Sequence, residues 1–267
     1  MINIFIVLIS VFVSASVWAK NACVDFLGEQ SYPPLSVGSG VVCFVQEPVL
    51  DRKTGMLVGA DSISLYYLSR NGFPIKAEGR GLLYDDTPGE IIDAFLLNDR
   101  RGGRDKIFVI HSMSVRGSLV EPNSSGVFYS VDVFDLVGDA LRRDDRASDW
   151  FGSGYGFVSN GEGVVYRFPY RTKEDVRLAI GSPFAALMGD DRAIPVKLKF
   201  KSVLFDMPNI KGITKKYLIR GDRAVVEKVG AGWCRIRYSG GTRSAEMWLM
   251  CNVLDAESKE RVGVDDR

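Results

Sequence analysis

The side chains able to do chemistry in this chain are few and widely spaced. Four cysteines stand at 23, 43, 234 and 251, and His111 is the one histidine. Cys234 sits in GWCRIRYSGG and Cys251 closes MWLMC, each near a tryptophan. A nucleophilic thiolate ordinarily needs a neighbouring histidine base, and zinc needs closely spaced ligands such as C-x-x-C. Neither pattern is present. An even number of cysteines in two separated pairs, Cys23 with Cys43 and Cys234 with Cys251, reads instead as disulfides. Three connectivities are open, of which the local pairing is the economical one. A loop of that size stabilises by about 3 kcal/mol in the chain-entropy view.

His111 follows Ile107 and Val109 on one face of a strand-like run, the position of a packed, hydrogen-bonded histidine rather than a catalyst. No G-x-S-x-G elbow, H-E-x-x-H helix or phosphate-binding G-x-x-x-x-G-K-[ST] loop occurs. Two carboxylates can hydrolyse glycosides without histidine. The pairs available are Glu90 with Asp93, Asp132 with Asp135, and the Asp-Asp steps at 85–86, 144–145 and 190–191. All fit solvated turns or outward strand positions equally well, so spacing selects no acid and no nucleophile. No catalytic residue, metal ligand or cofactor is assigned. The stretch DWFGSGYGFVSNGEGVVYRFPY sets aromatic rings among glycines, and such rings anchor interfaces well. Trp150, Phe151, Tyr155 and Tyr170 are therefore candidate interface residues, although the same rings would equally close a core around β-turns.

The elements that must carry these residues begin with a leader. Residues 1–19 hold no charged side chain, are strongly apolar from Ile4 to Val13, and end in Val17-Trp18-Ala19. That is the form of a secretory signal cut after Ala19. Its apolar part is shorter than the roughly 20 residues that span a bilayer, and no second apolar stretch is long enough. The expected product is periplasmic or secreted, without a transmembrane anchor after cleavage. Lys and Arg number 34 against 33 Asp and Glu. This near-neutral balance argues against a nucleic-acid partner, which calls for a clustered basic excess.

Short runs rich in β-branched and aromatic residues recur between turn signals: SGVVCFVQ, SISLYYL, KIFVIHSMSV, VFYSVDVFDL, GVVYRFPY and VKLKF. GEIIDAFLLND fits a buried strand or a short helix. RTKEDVRLAIG predicts one short helix with Thr172 as N-cap and Gly181 at its end. Val42-Cys43-Phe44-Val45 and Ser64–Leu68 are echoed 65 or 66 positions later by Ile107–Ile110 and Ser130–Phe134, as in a duplicated β unit. The expected fold is mainly β: an antiparallel sheet-rich domain with a short helix at 20–205, then a linker at 206–214.

From Lys215 the pattern becomes compact. Tyr217-Leu218, a Gly221-Asp222 turn before AVVEKV, Gly232-Trp233 opening CRIRY, and the closing MWLMCNVL make residues 215–256 resemble a bacterial SH3-like domain. The resemblance implies a small β-barrel, with a charged tail at 257–267. It also implies a peptide or cell-wall fragment held along an aromatic groove, for which Tyr217, Trp233, Tyr238 and Trp248 are candidates. Alternation puts Cys234, Ile236 and Tyr238 on one strand face, and Met247, Leu249 and Cys251 on one face of the next. In a small barrel such cysteines come within the roughly 5.5 Å Cα spacing of a disulfide. The expected function is non-catalytic binding in the cell envelope, as an immunity-type inhibitor of an exported toxic enzyme. The alternatives are an SH3-like module for peptidoglycan or peptide, and a carboxylate-dependent cell-wall hydrolase.

Overall fold

The computed structural model describes residues 22–257 except 52, 71, 99–102 and 241–242; the expected leader and the tail from 258 onward lie outside the described residues. The chain is mainly β and divides into two units. Unit 1 holds the residues up to Ser148 together with Gly152–Arg177; unit 2 holds Asp149–Phe151 and the residues from Leu178 onward.

Unit 1 opens with the short helix α1, described over 22–27. The strands β1 (Tyr32–Val37), β2 (Gly40–Leu50), β3 (Leu57–Leu68) and β4 (Ile75–Lys76) then form one sheet of antiparallel neighbours in chain order. A second antiparallel sheet follows, from β5 (Glu90–Asn98), β6 (Asp105–Ser114), β7 (Val127–Val137) and β8 (Ala140–Arg143), with β9 (Ser153–Tyr155) paired to β7. The echo noted in the sequence falls on β2 and β6 and on β3 and β7, the second and third strands of the two sheets. GEIIDAFLLND, ambiguous by pattern, is strand β5, paired with β6 from Glu90–Ser112 to Asn98–Asp105.

Alternation turns one face of each sheet toward the other. Val42, Phe44, Ile63, Leu65 and Tyr67 of the first sheet meet Ala94, Ile107, Val109, Phe134 and Leu141 of the second in one buried core. Burial of each such side chain contributes about 1.5–3 kcal/mol. On the outer face of the first sheet, Cys23 in α1 is bonded to Cys43 of β2 (Cα–Cα 5.6 Å) and packs with Ala22, Val41 and Leu68.

Within unit 1 the outer face of the second sheet meets the start of α2 (Asp145–Phe151), the segment that follows the hairpin of β10 (Phe157–Ser159) and β11 (Val164–Arg167), and the start of α3 (Lys173–Ile180). Ser148 Oγ accepts from the Val133 amide (2.9 Å), Phe168 stacks on Tyr129, and Lys173 Nζ lies 5.2 Å over the Phe95 ring. α3 starts where its cap predicts. Thr172 Oγ1 accepts from the Asp175 amide (3.1 Å), and the Asp175 carboxylate accepts from the Thr172 amide (3.0 Å). This reciprocal box satisfies two donors the helix cannot.

Unit 2 contains β12 (Ile194–Leu198), β13 (Ser202–Phe205), β14 (Ile213–Leu218), β15 (Arg223–Gly230), β16 (Trp233–Gly240), β17 (Arg243–Met250) and β18 (Leu254–Ala256). They make one seven-stranded sheet in the order β14-β13-β17-β16-β15-β12-β18. Its chain therefore starts before residue 215, the expected edge of the small domain. Residues 206–214, expected as a linker, hold the tight turn between β13 and β14: Asp206 N donates to Gly212 O, and the Asn209 side chain caps Lys211 and Gly212. They bridge strands within one sheet because β13 pairs with both β14 and β17.

One face of this sheet carries Val196, Leu198, Leu204, Ala224, Val226, Cys234, Ile236, Met247 and Leu249, all buried. Cys234 is bonded to Cys251 (Cα–Cα 5.0 Å). Cys251 lies just past β17 in a 3-10 turn, and its amide donates to Gly232 O, extending the β16–β17 ladder by one step. Both local pairings expected from the spacing are thus present. The double substitution Cys234→Ala with Cys251→Ala is expected to lower unfolding stability by about 3 kcal/mol, read as a drop in urea midpoint. An unchanged midpoint would mean that the bridge constrains nothing.

Candidate functional site

The lone histidine belongs to a buried polar cluster between the two sheets of unit 1. Cross-strand pairing sets His111 opposite Ser130, and Val109 opposite Asp132. Phe134 lies opposite Arg143 of β8. Alternation brings these polar residues onto the inward face. Arg143 donates from Nε and Nη2 to Asp132 Oδ1 at 2.9 and 2.8 Å and also pairs with Asp145. Ser130 Oγ donates to the other Asp132 oxygen at 3.1 Å.

Serine, histidine and aspartate together invite comparison with a hydrolase triad, but the bonding is different. A triad histidine takes the serine proton. Here Ser130 directs its proton to Asp132, and His111 Nε2 lies 3.0 Å from the Pro88 carbonyl, which can only accept. His111 is 1% exposed, so no substrate reaches it. Gly89 makes this fit: at φ +75° it presses on the ring, and a Cβ there would stand 2.5 Å from His111 Nε2. Burial, the largest influence, pushes His111 below its usual pKa against the opposing pulls of the Pro88 carbonyl and the Asp132 charge.

Most of the other carboxylates singled out by spacing are engaged as well. Asp93 accepts from the Tyr32 hydroxyl, and Asp135 and Asp144 flank Lys106. Asp144 also caps α2 through the Ala147 amide, Asp85 pairs with Arg116, and Asp190 accepts from the Arg192 amide.

The open site lies elsewhere, along β3. After Lys76 the chain makes one more bond to the first sheet, Ala77 N to Leu65 O (2.8 Å), and then leaves it. Glu78 joins the second sheet, its N–H donating to Leu141 O and its carbonyl accepting from Arg143 N. Gly79 at φ +109° allows the departure; a Cβ there would meet Arg143 Cβ at 2.8 Å. Between β3 and residues 77–84 the divergence leaves a cleft of about 1340 Å³. Its inner wall is apolar, with Ile63, Leu65, Leu82 and Phe134; its outer rim carries Glu47, Ser64, Tyr66 and Lys76.

The rim is organised around Glu47. Its carboxylate accepts from Ser64 Oγ (2.6 Å) and Tyr66 Oη (2.8 Å) and pairs with Lys76. Desolvation raises the Glu47 pKa, but the bonds from Lys76, Ser64 and Tyr66 outweigh it and hold the carboxyl below its usual range. Burial, with the bond to and charge of Glu47, pushes Tyr66 up to about 12. At one end of the cleft the β2–β3 hairpin projects as an arm. Asp51 fixes its turn by accepting from the amides of Lys53 and Thr54 and from Thr54 Oγ1. Leu50, Met56, Leu57 and Val58 on the arm are all exposed. No sequence signal marks this arm, because its strands read like any others.

The residues proposed from sequence lie mostly apart from the cleft. Trp150 and Phe151, 4% and 0% exposed, fill the interior of unit 2, where Trp150 Nε1 donates to Phe184 O and Phe151 O accepts from Ala231 N. Tyr170 is buried against Phe168, and half-buried Tyr155 packs edge-on to Phe128 with its hydroxyl accepting from the Glu121 amide. The glycine-rich stretch therefore closes a core instead of offering anchors, a correction to its reading as an interface. In unit 2, Trp233 is buried edge-on against Phe205 at 4.9 Å, and Trp248 is half-buried opposite Phe205 in the register. Tyr217 is 53% exposed, with Lys201 Nζ 4.2 Å over its ring. Tyr238 shares its strand parity with Cys234 and Ile236, so it lies on the other face from Trp233. The four residues of the expected groove are thus not on one surface.

Among the described residues no group of three His, Cys, Asp or Glu side chains is placed to hold a metal ion, and no helix is long and apolar enough to cross a membrane. Comparison of the chain with protein-family models, with curated proteins and with solved structures finds no match.

Two outcomes test the buried cluster. Asp132→Ala strips the buried Arg143 of its two bonds to Asp132, leaving it only Asp145, and is expected to cost about 3–5 kcal/mol; adding Arg143→Met should recover much of that loss. His111 is held neutral in the fold, so the unfolded chain takes the proton first. The stability present above the ordinary histidine value of 6.5 is lost as pH falls below it. The urea midpoint is expected to drop between about pH 7 and pH 5, with His111→Gln removing most of the slope.

Proposed function

We propose that this chain is an exported, non-catalytic binding protein of the periplasm or cell exterior, and that its cleft and arm in unit 1 grip a partner protein. The observation that carries the reading is the exposed apolar set Leu50, Met56, Leu57 and Val58 around the hydrogen-bonded Asp51 turn beside an open cleft. Apolar groups held out in this way mark interaction surfaces. The groups that could do chemistry are engaged internally, as the hydrogen bonds of Asp132, His111 and Glu47 illustrate. Two disulfides fit an oxidising compartment outside the cytoplasm. Within this class the role is that of an immunity-type inhibitor capping an exported enzyme, with about 800 Å² buried on each side.

A second reading, an SH3-like envelope module in unit 2, is favoured by exposed Tyr217 next to Val203, itself 42% exposed. A third is carboxylate hydrolysis of the cell wall, for which the acids Asp132, Asp135 and Asp144 are each bound up with a neighbouring cation.

Tagged mature protein recovered from a periplasmic extract is expected to carry a partner in fixed stoichiometry. Leu57→Asp with Val58→Asp should release that partner without loss of fold. Binding to purified sacculi that Tyr217→Ala abolishes would favour the second reading. Cleavage of sacculi that disappears with a single acidic substitution would establish the third.

A further inference from the structure

We infer that the cleft of unit 1 is a slot for one extended polypeptide strand, bound by main-chain pairing to the free edge of β3. Strand β4 occupies that edge only opposite Tyr66 and Tyr67, with Ala77 adding one bond at Leu65. In an antiparallel ladder the residues whose N–H and C=O face one neighbour alternate along the strand. Leu65 faces β4, so Ile63 and Asp61 face the same way. Pro48, which has no N–H to give, sits opposite Asp61 on the β2 side, in keeping with that assignment. Beyond Leu65, no main-chain partner meets these outward groups among the described residues.

A row of unpaired donors and acceptors at strand spacing is recognised by another strand. The surroundings specify its chemistry further. The register of β3 against β2 shifts between Pro48 and Leu50 and Gly59 stands at φ +86°, so the regular edge runs from Leu65 down to Asp61, about 16 Å at the usual rise, room for roughly five extended residues. The cleft volume of about 1340 Å³ exceeds the roughly 300–1,000 Å³ of small-molecule sites. A strand continuing the line of β4 turns alternate side chains inward to Leu82 and Phe134 and outward to the Glu47–Lys76 rim. The occupant is thus a segment of alternating apolar and polar residues from a partner protein. Its lower end at Asp61 points toward the exposed arm with Leu57 and Val58.

This rests on the binding role proposed above, and the test separates the two. An octapeptide phage library is panned on the intact, unreduced protein, and the selected peptides are synthesised with single N-methylated amides. Methylation at alternate positions is expected to weaken binding at least about tenfold, while the intervening positions tolerate it. Amide exchange at Asp61 and Ile63 should slow on peptide addition, and Asp61→Pro should weaken the same peptides. Peptides that bind but tolerate methylation everywhere, with exchange at Asp61 and Ile63 unchanged, overturn strand pairing and leave the binding role standing. A library without binders, alongside a stoichiometric natural complex that keeps both amides fast, overturns the slot alone. Concentration-dependent dimerisation that slows the same two amides assigns the edge to a second copy and overturns the foreign strand.

Discussion

The main chain of Glu78 ties the two sheets of unit 1 together, and the rest of that unit follows from the tie. Its N–H and its carbonyl both bond to β8, so the chain leaves the first sheet one residue after pairing with Leu65. Without that exit, β4 could continue along β3 and close the edge. With it, two short sheets share a core and one strand stays partly unpaired. Gly79 enables the exit sterically, and Arg143, whose Cβ crowds it, enforces the choice of residue. The same Arg143 is buried against Asp132, so the tie between the sheets and the ion pair under it stand on adjacent atoms.

That ion pair is better understood as a specifier than as a source of stability. Removing two charges from water costs several kcal/mol, and the attraction between them offsets this only with full hydrogen bonding. The cluster meets the requirement, since Asp132 accepts from Arg143 and Ser130 while Arg143 reaches Asp145. Any slip of β8 against β7 by one residue would turn Arg143 outward and leave the buried Asp132 without its cation. The pairing that aligns β7 and β8 is therefore enforced by a penalty on that alternative.

What could be read in advance divides along physical lines. Strand runs, the Thr172 cap of α3 and the local cysteine pairs depend on neighbours close in sequence, and these were legible. His111 on an apolar stripe was legible for the same reason. Its companions Asp132 and Arg143 were not, because their burial depends on which residues face each other across β6, β7 and β8. Trp150 and Phe151 misled because glycine-flanked aromatics look alike whether they turn inward or outward. The boundary near 206 misled because Pro208, Asn209 and Gly212 signal a turn, and a turn inside a sheet has the composition of a linker. The cleft was invisible in composition altogether, since it arises from a path the chain takes at Glu78.

The two disulfides each join cysteines consecutive in the chain, 20 and 17 residues apart, and each lies within a single unit. An oxidant that couples thiols in the order in which they follow one another along the chain therefore makes the native pairs at the first attempt. Isomerase rescue is not required, and neither crosslink has to wait for synthesis of the other unit. The polypeptide can be locked half by half as it arrives.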